Sequence, residues 1–495
     1  MFNNDDLTEM SDEALLLALE ETDESEHIPI LSEQRRRAFE NNEFGSAASL
    51  SFRIGELAKA QGNSKLLAKA KHDEGSALYQ NDEHSESASR YDEAAVIYKE
   101  IGNQKRATNS LYEKARALLQ LDNEEEAVKA AEEARAFAER EEDYTLVGRS
   151  LFIKGKGLFY LRRYDEALDE LMAAAENLAI AGLSNEVADV YEFLGRTLYS
   201  INQHKESINY LQKALIIIQN GIDNDMKSTV PELKRKISLN LYALNEFTQC
   251  IDSLEEAKVE FQAAGRVEDV AYCEFDIGDA MQEIDKEAES LDVFLRAETL
   301  AESVGNKKLA NKALHYRGLS HANLGRHEEA LDLYTRFWNQ TQSSPELREL
   351  AHTAFYRILS ALVPLKRYSE VIEKYEKRPK WDDFVPPLNE EILMMSYYCR
   401  ALYESGNFDA ALRIAGQGIL ESQSDSWKVA RATFFEIRSI LTRDTQLKQS
   451  EQDLSFAISL LLASNWVERA RDLSSYFVSK IEESKEPKSM ELDGE

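Results

Sequence analysis

The sequence predicts an all-α chain, an α-solenoid of about eleven stacked helical hairpins closed by a C-terminal capping helix. Two observations carry that reading. Four residue columns recur every 40 positions, shifted only by one insertion of three and one of one. Gly (20) and Pro (8) are few among 495 residues, and no stretch sustains the apolar alternation of a strand. Periods of roughly 20–50 residues mark arrays in which each unit covers the apolar face of the one before.

The unit is clearest from Tyr144 to Gly182. A first helix carries Leu151, Gly155, Leu158 and Phe159. A polar corner follows at Leu161-Arg162-Arg163. A second helix opens at Tyr164 and runs through Ala167, Leu171 and Ala174 to Gly182, placed where a left-handed residue commonly closes a helix. The first-helix column reads Gly75, Ala115, Gly155, Gly195, Ser238, Gly278, Gly318, Leu359 and Cys399. Twelve residues later come Ser87, Ala127, Ala167, Ser207, Cys250, Ser290, Ala330, Val371 and Ala411. A third column holds Ala94, Ala134, Ala174, Ala214, Ala257 and Ala297, and the closing glycines are Gly62, Gly102, Gly182, Gly265 and Gly305. Two antiparallel helices joined by a tight corner cross closely, so small side chains are needed where they meet.

This column set resembles the tetratricopeptide repeat (TPR) family at Gly155, Leu158, Tyr164, Ala167, Leu171 and Ala174, and again at Gly318, Gly325, Ala330 and Tyr334. The usual TPR is about 34 residues with a proline near its end. The period here is 40 and that proline is absent, so the chain is more similar to the long repeats of kinesin light chains and Rap-type peptide receptors. The resemblance covers roughly 30–465. It implies a right-handed α-solenoid of TPR-like hairpins.

In chain order, residues 1–30 form an acidic segment with a short amphipathic helix near Asp12–Glu21, either a cap on the first repeat or a docking motif. The solenoid is expected over 31–464. It begins with a degenerate repeat at 31–62 and continues in phase through 64–102, 104–142, 144–182 and 184–222. The acidic second helix of the 104–142 repeat reads as a solvated face, since it lacks the alternating oxygen ligands of a calcium loop. Three extra residues enter within 222–231, where a hinge or change of pitch is expected; Pro231 then starts a helix. Repeats resume at 228–265, 267–305 and 307–343. Pro379 ends a shortened helix and opens an irregular Pro-rich loop at 379–387, whose Trp381 and Phe384 either plug the gap or anchor a partner. Phase returns at 388–424. A capping helix over 465–482 and a disordered acidic tail over 483–495 complete the chain.

Composition narrows function. Lys plus Arg number 59 against 90 Asp plus Glu, a net charge of −31, which opposes binding to nucleic acid or an anionic membrane. No apolar run approaches the roughly 18 residues of a membrane span, and the N-terminus lacks the basic and apolar regions of a secretory signal. Three cysteines, Cys250, Cys273 and Cys399, suit a reducing cytoplasm rather than a disulfide framework. Two of them occupy small-residue columns. No phosphate-binding loop or dinucleotide fingerprint is present, and the eight histidines make no metal set. The expectation is a non-enzyme without cofactor or metal.

The resemblance implies where a ligand would bind. In this family, first-helix side chains one and four residues beyond the small column, and three or six before it, line the inner groove. Those positions here are Lys69, His72, Ser76 and Tyr79; Asn109, Tyr112 and Arg116; Arg149, Phe152, Lys156 and Phe159; Glu192, Arg196 and Tyr199; then Arg235 and Tyr242. Tyr272, Phe275, Lys312 and His315 follow in later repeats. Basic and aromatic groups interleave along this row, which suits a protein or peptide with acidic and apolar anchors. A Lys/Asn clamp on a C-terminal carboxylate would need those residues where His72 and Ser76 stand. The sequence therefore points to a cytoplasmic, non-catalytic scaffold with a peptide-binding groove. The alternative is a peptide-responsive receptor of the Rap kind. Such receptors carry an N-terminal effector domain, which residues 1–30 are too short to form, so this reading needs a separate effector protein.

Overall fold

In the computed structural model, which describes residues 4–221, 227–422 and 427–475, helices of mostly 16 or 17 residues alternate with three-residue corners. Two short helices, α1 (Asn4–Glu9) and α2 (Asp12–Glu21), precede the array. The first compact unit, Met1–Ser253, then contains α3 (His27–Glu40), α4 (Phe44–Ala60), α5 (Ser64–Gln80), α6 (His84–Glu100), α7 (Gln104–Leu119) and α8 (Glu124–Arg140). It continues with α9 (Tyr144–Tyr160), α10 (Tyr164–Ile180), α11 (Ser184–Ser200), α12 (His204–Asn220) and α13 (Val230–Ala243). The helix α14 (Phe247–Ala263) spans the division between units. The second unit, Leu254–Glu495, holds α15 (Val267–Gln282), α16 (Glu287–Ser303), α17 (Lys307–Asn323), α18 (His327–Thr341) and α19 (Arg348–Leu362). After these come α20 (Tyr368–Glu376), α21 (Leu388–Glu404), α22 (Phe408–Glu421), α23 (Lys428–Thr442), α24 (Leu447–Ala463) and a helix over 467–475. No strand occurs among the described residues.

The corners explain the regularity. Gly182 has φ +76°, its N–H donates to Ala179 O at 3.0 Å, and the Leu183 N–H donates to Leu178 O at 3.0 Å. This pair of bonds satisfies carbonyls that the helix end would otherwise orphan. The corner inside the hairpin is built the same way: Arg162 has φ +60°, and Arg162 and Arg163 donate to Phe159 O and Leu158 O at 2.9 Å. Left-handed residues therefore recur every 20 positions, with Asn42, Asp82, Asp122, Arg162 and Asn202 alternating with Gly62, Gly102, Glu142 and Gly182. The glycine column marks only part of this set, because Asn and Asp tolerate the conformation too. The next residue often starts the following helix. Asn63 Oδ1 accepts from Leu66 N and Asp143 Oδ1 from Leu146 N, both at 3.1 Å.

The small column is one half of a matched pair. A Cβ on Gly155 or Gly195 would stand 2.7 Å from Leu171 Cγ or Leu211 Cγ, and one on Gly278 would stand 2.7 Å from Phe294 Cε1. The facing residue lies 16 positions on. Where the column holds Ala115 or Cys399 instead, the facing residues are the smaller Ala131 and Ala415, all four buried. Ser87 and Ser207, twelve residues past the column, donate to Gly75 O and Gly195 O at 2.8 and 2.7 Å.

Within each unit, consecutive helices pack against one another, and first helices also touch the next first helix, as in α7–α9–α11 and α15–α17–α19–α21–α23. Leu7, Leu15 and Ala18 bury against Ile30, so the N-terminal helices cover the start of the first unit. Residues 378–387 form no helix. There Trp381 and Phe384 pack on His352 at 6.4 and 5.9 Å between ring centroids, and Trp381 meets Trp338 at 6.3 Å. Near the C-terminus, Ala470 and Leu473 bury with Phe435 and Leu461. All three cysteines are buried. Residues 222–226 of the expected phase slip at 222–231, the last residues of the expected capping helix and the acidic tail at 483–495 lie outside the described residues, whereas Pro231 stands in the first turn of α13.

Candidate functional site

The expected groove residues fall on first helices of the first unit. Lys69, His72 and Tyr79 stand on α5, Tyr112 and Arg116 on α7, and Arg149, Phe152, Lys156 and Phe159 on α9. Arg196 and Tyr199 are on α11, and Arg235 and Tyr242 on α13. One packed centre emerges from them. Phe193 of α11, 8% exposed, meets Phe159 at 5.2 Å and Phe152 at 6.0 Å, both edge to face. Lys156 Nζ lies 4.2 Å from the Phe152 ring centre and 5.5 Å from that of Phe193. The Arg196 guanidinium lies 4.8 Å from Phe159, 5.4 Å from Phe193 and 5.7 Å from Tyr160. Arg116 stacks 5.0 Å from Tyr79 and 5.9 Å from Tyr112. The 40-residue period places Arg116, Lys156 and Arg196 at one register on consecutive first helices. Each lies over rings whose faces attract cations.

The cations differ in what else they hold. Arg149 donates from Nε and an Nη to both carboxylate oxygens of Glu186 at 2.8 and 2.6 Å, a fork that ties α9 to α11. Arg116 donates to Glu113 of its own helix at 2.8 Å. Glu192 is taken by Lys236. Lys69, Lys156 and Arg196 have no carboxylate within 4.0 Å among the described residues. Burial, joined by Arg116 and Arg196, presses the Lys156 ammonium below the usual lysine range against the pull of Asp189 and Glu192. Burial also raises Asp189, to about 6, with help from Glu192 and Glu186. His72 accepts from or donates to Ser110 Oγ at 3.0 Å and is pushed down to about 4 by burial and Arg106. It is neutral at pH 7.

Two cavities open beside these side chains. One of about 510 Å³ is lined by Lys105, Arg106, Asn109, Thr145 and Arg149 among others. The other, of about 370 Å³, is lined by Tyr79, Arg116, Leu119, Ile153, Lys156 and Tyr160, with Asp122 on its wall. Tyr199 and Tyr242 turn toward their own hairpins, meeting His204 and Phe247 at 5.3 Å. In the second unit His315 stacks on Phe337 at 5.5 Å and accepts from Arg357 Nε at 2.9 Å, so it is committed to packing.

Column reasoning passed over Phe193, Asp189 and Arg106. Asp189 stands six residues before Gly195, the same position as Lys69, Asn109 and Arg149, so the spacing rule marks it. Phe193 lies two residues before the column, and only the contact of α9 with α11 makes it the shared ring.

No family model matches the chain, and no curated protein matches it. Solved structures do. RapI in its apo form is 16% identical with a TM-score of 0.50, the match covering 70% of this chain and 99% of RapI. The quorum sensor NprR from B. thuringiensis is 14% identical, TM-score 0.44, covering 66% of this chain and 91% of NprR. BtubC from P. vanneervenii is 17% identical, TM-score 0.41, covering 45% of this chain and 92% of BtubC. At these identities the likeness to RapI concerns the fold alone. Taken with the 40-residue columns and the paired helices, it makes the chain a TPR-like helical repeat protein in fold.

Proposed function

We propose that the chain is a non-catalytic binding scaffold that holds a protein or peptide along the first-helix face of its first unit, in the cytoplasm. The observation supporting this reading is the joint occurrence, on one face, of two open cavities and a three-tier row of cations over aromatic rings. An extended segment with acidic and apolar side chains matches that face. Aromatic rings supply buried area, and Arg and Lys receive carboxylates. The peptide-responsive alternative uses the same face and adds a change in repeat geometry. The Arg149–Glu186 tie between α9 and α11 is the contact for which a ligand carboxylate would compete.

The test is selection from a random peptide library on the full chain, counter-screened with Lys156→Glu/Arg196→Glu. Enriched peptides should carry Asp or Glu beside apolar residues and should be lost by the variant. Enrichment of peptides that bind the variant equally well would contradict the reading.

A further inference from the structure

Carboxylates are abundant in this chain, 90 against 59 basic side chains, so a cation left without one is informative. On the first-helix face, Arg116, Arg149 and Lys236 each hold a glutamate. Among the described residues Lys156 and Arg196 hold none, although they are neighbours on one aromatic bed. The nearby acids are already committed or out of reach. Glu192 is paired with Lys236, Glu186 is held by Arg149, and Asp189 lies within electrostatic reach of Lys156 but beyond ion-pair distance. Phe152, Phe159 and Phe193 fix the stems and remove part of the hydration that would stabilise the charges in water. The cavity of about 370 Å³ adjoins Lys156; Tyr79, Tyr160, Leu119 and Ile153 give it apolar patches, and Arg116, Gln120 and Asp122 complete a mostly polar wall.

Resting on the peptide-groove reading above, we infer that Lys156 and Arg196 over Phe152, Phe159 and Phe193 form a carboxylate subsite. It takes an Asp or Glu whose neighbouring aromatic or aliphatic residue enters the adjoining cavity. Arg149 is a positioning residue that joins the two helices carrying the subsite. Asp189 acts against the ligand's charge and sets a ceiling on affinity. The net charge of −31 disfavours a nucleic-acid ligand, whose phosphates would meet the same repulsion everywhere outside this patch.

The test uses the full chain and a fluorescent Glu-Glu-Phe-Glu-Glu peptide followed by anisotropy. Its Gln-Gln-Phe-Gln-Gln counterpart and a single-stranded oligothymidylate serve as comparisons. The acidic peptide should bind at least tenfold tighter than the glutamine peptide. K156Q/R196Q should erase that difference while the glutamine peptide binds as it does to wild type and the helical circular dichroism is retained, since the variant removes the two cations and their ring contacts but no ion pair among the described residues. D189N should tighten binding of the acidic peptide. If library-selected peptides bind but K156Q/R196Q takes the acidic peptide as wild type does, the subsite is wrong and the groove reading stands. If neither selected peptides nor the acidic peptide bind, both fall. Tighter binding of the oligothymidylate, with the same dependence on Lys156 and Arg196, would overturn the peptide class.

Discussion

Gly155 and Leu171 share one volume, and that sharing is the residue-scale logic of the fold. Alanine is the better helix former by about 1 kcal/mol, yet its Cβ at position 155 would stand 2.7 Å from Leu171 Cγ and 2.8 Å from Cδ2. Overpacking of a tight contact costs about 1–3 kcal/mol, so the clash should win. Gly155→Ala should lower the unfolding free energy by about 1–2 kcal/mol in the native sequence. In a Leu171→Ala background the same change should instead raise it by up to about 1 kcal/mol. Urea unfolding of the four proteins reads that reversal of sign, and an equal effect in both backgrounds would refute the matched-pair account. The small column was legible in the sequence because glycine is rare inside helices. Its partner 16 residues on was not, since Tyr91, Leu171, Phe294 and Ala131 look like unrelated choices until the contact is seen. The left-handed corners divide the same way: Gly182 advertises its conformation, and Arg162 does not.

At the scale of elements, polar ties join consecutive first helices, Arg149 to Glu186 in the regular repeats and His352 to Glu390 and Glu391 where the pattern fails. His352 of α19 sits 4% exposed between Glu390 and Glu391 of α21, with its Nδ1 2.6 Å from Glu390 and its Nε2 3.0 Å from Glu391. Burial works against charging this ring, but the hydrogen bonds it donates to both glutamates overcome it and hold the imidazolium up to about 9. Because the folded value lies above the ordinary one near 6.5, the pair's contribution is complete below pH 6.5 and is lost as pH rises through 9. A rise of that size corresponds to at most about 3.4 kcal/mol. The stability difference between wild type and His352→Gln, from denaturant unfolding, should shrink by up to that amount between pH 6.5 and 10. A difference independent of pH would contradict the charged form. The loop carrying Trp381 and Phe384 packs on this ring. Pro379 announces where the helix fails, but the sequence holds no sign that a histidine 27 positions earlier receives the two aromatics. His352 stands seven residues before Leu359, as Ala271 and Asn311 stand before Gly278 and Gly318, and that register alone gives no sign of its charge.

At the scale of the molecule, the array was readable because a repeat reports the same physics many times over, and chance differences average out. The candidate face was readable only in part. Column spacing placed Arg116, Lys156 and Arg196 at one register, but not which cations the chain already uses. Arg149 and Arg116 carry the same sign as Lys156 and differ only in a glutamate that folding brings near or fails to. On the reading proposed above, the first-helix face of the first unit takes a guest chain. Amide hydrogen exchange of the full protein, with and without a library-selected peptide, tests it most directly. Slowed exchange should concentrate in α5, α7, α9 and α11, with α6, α8, α10 and α12 unchanged. Protection confined to those second helices, or to the second unit, would contradict the claim.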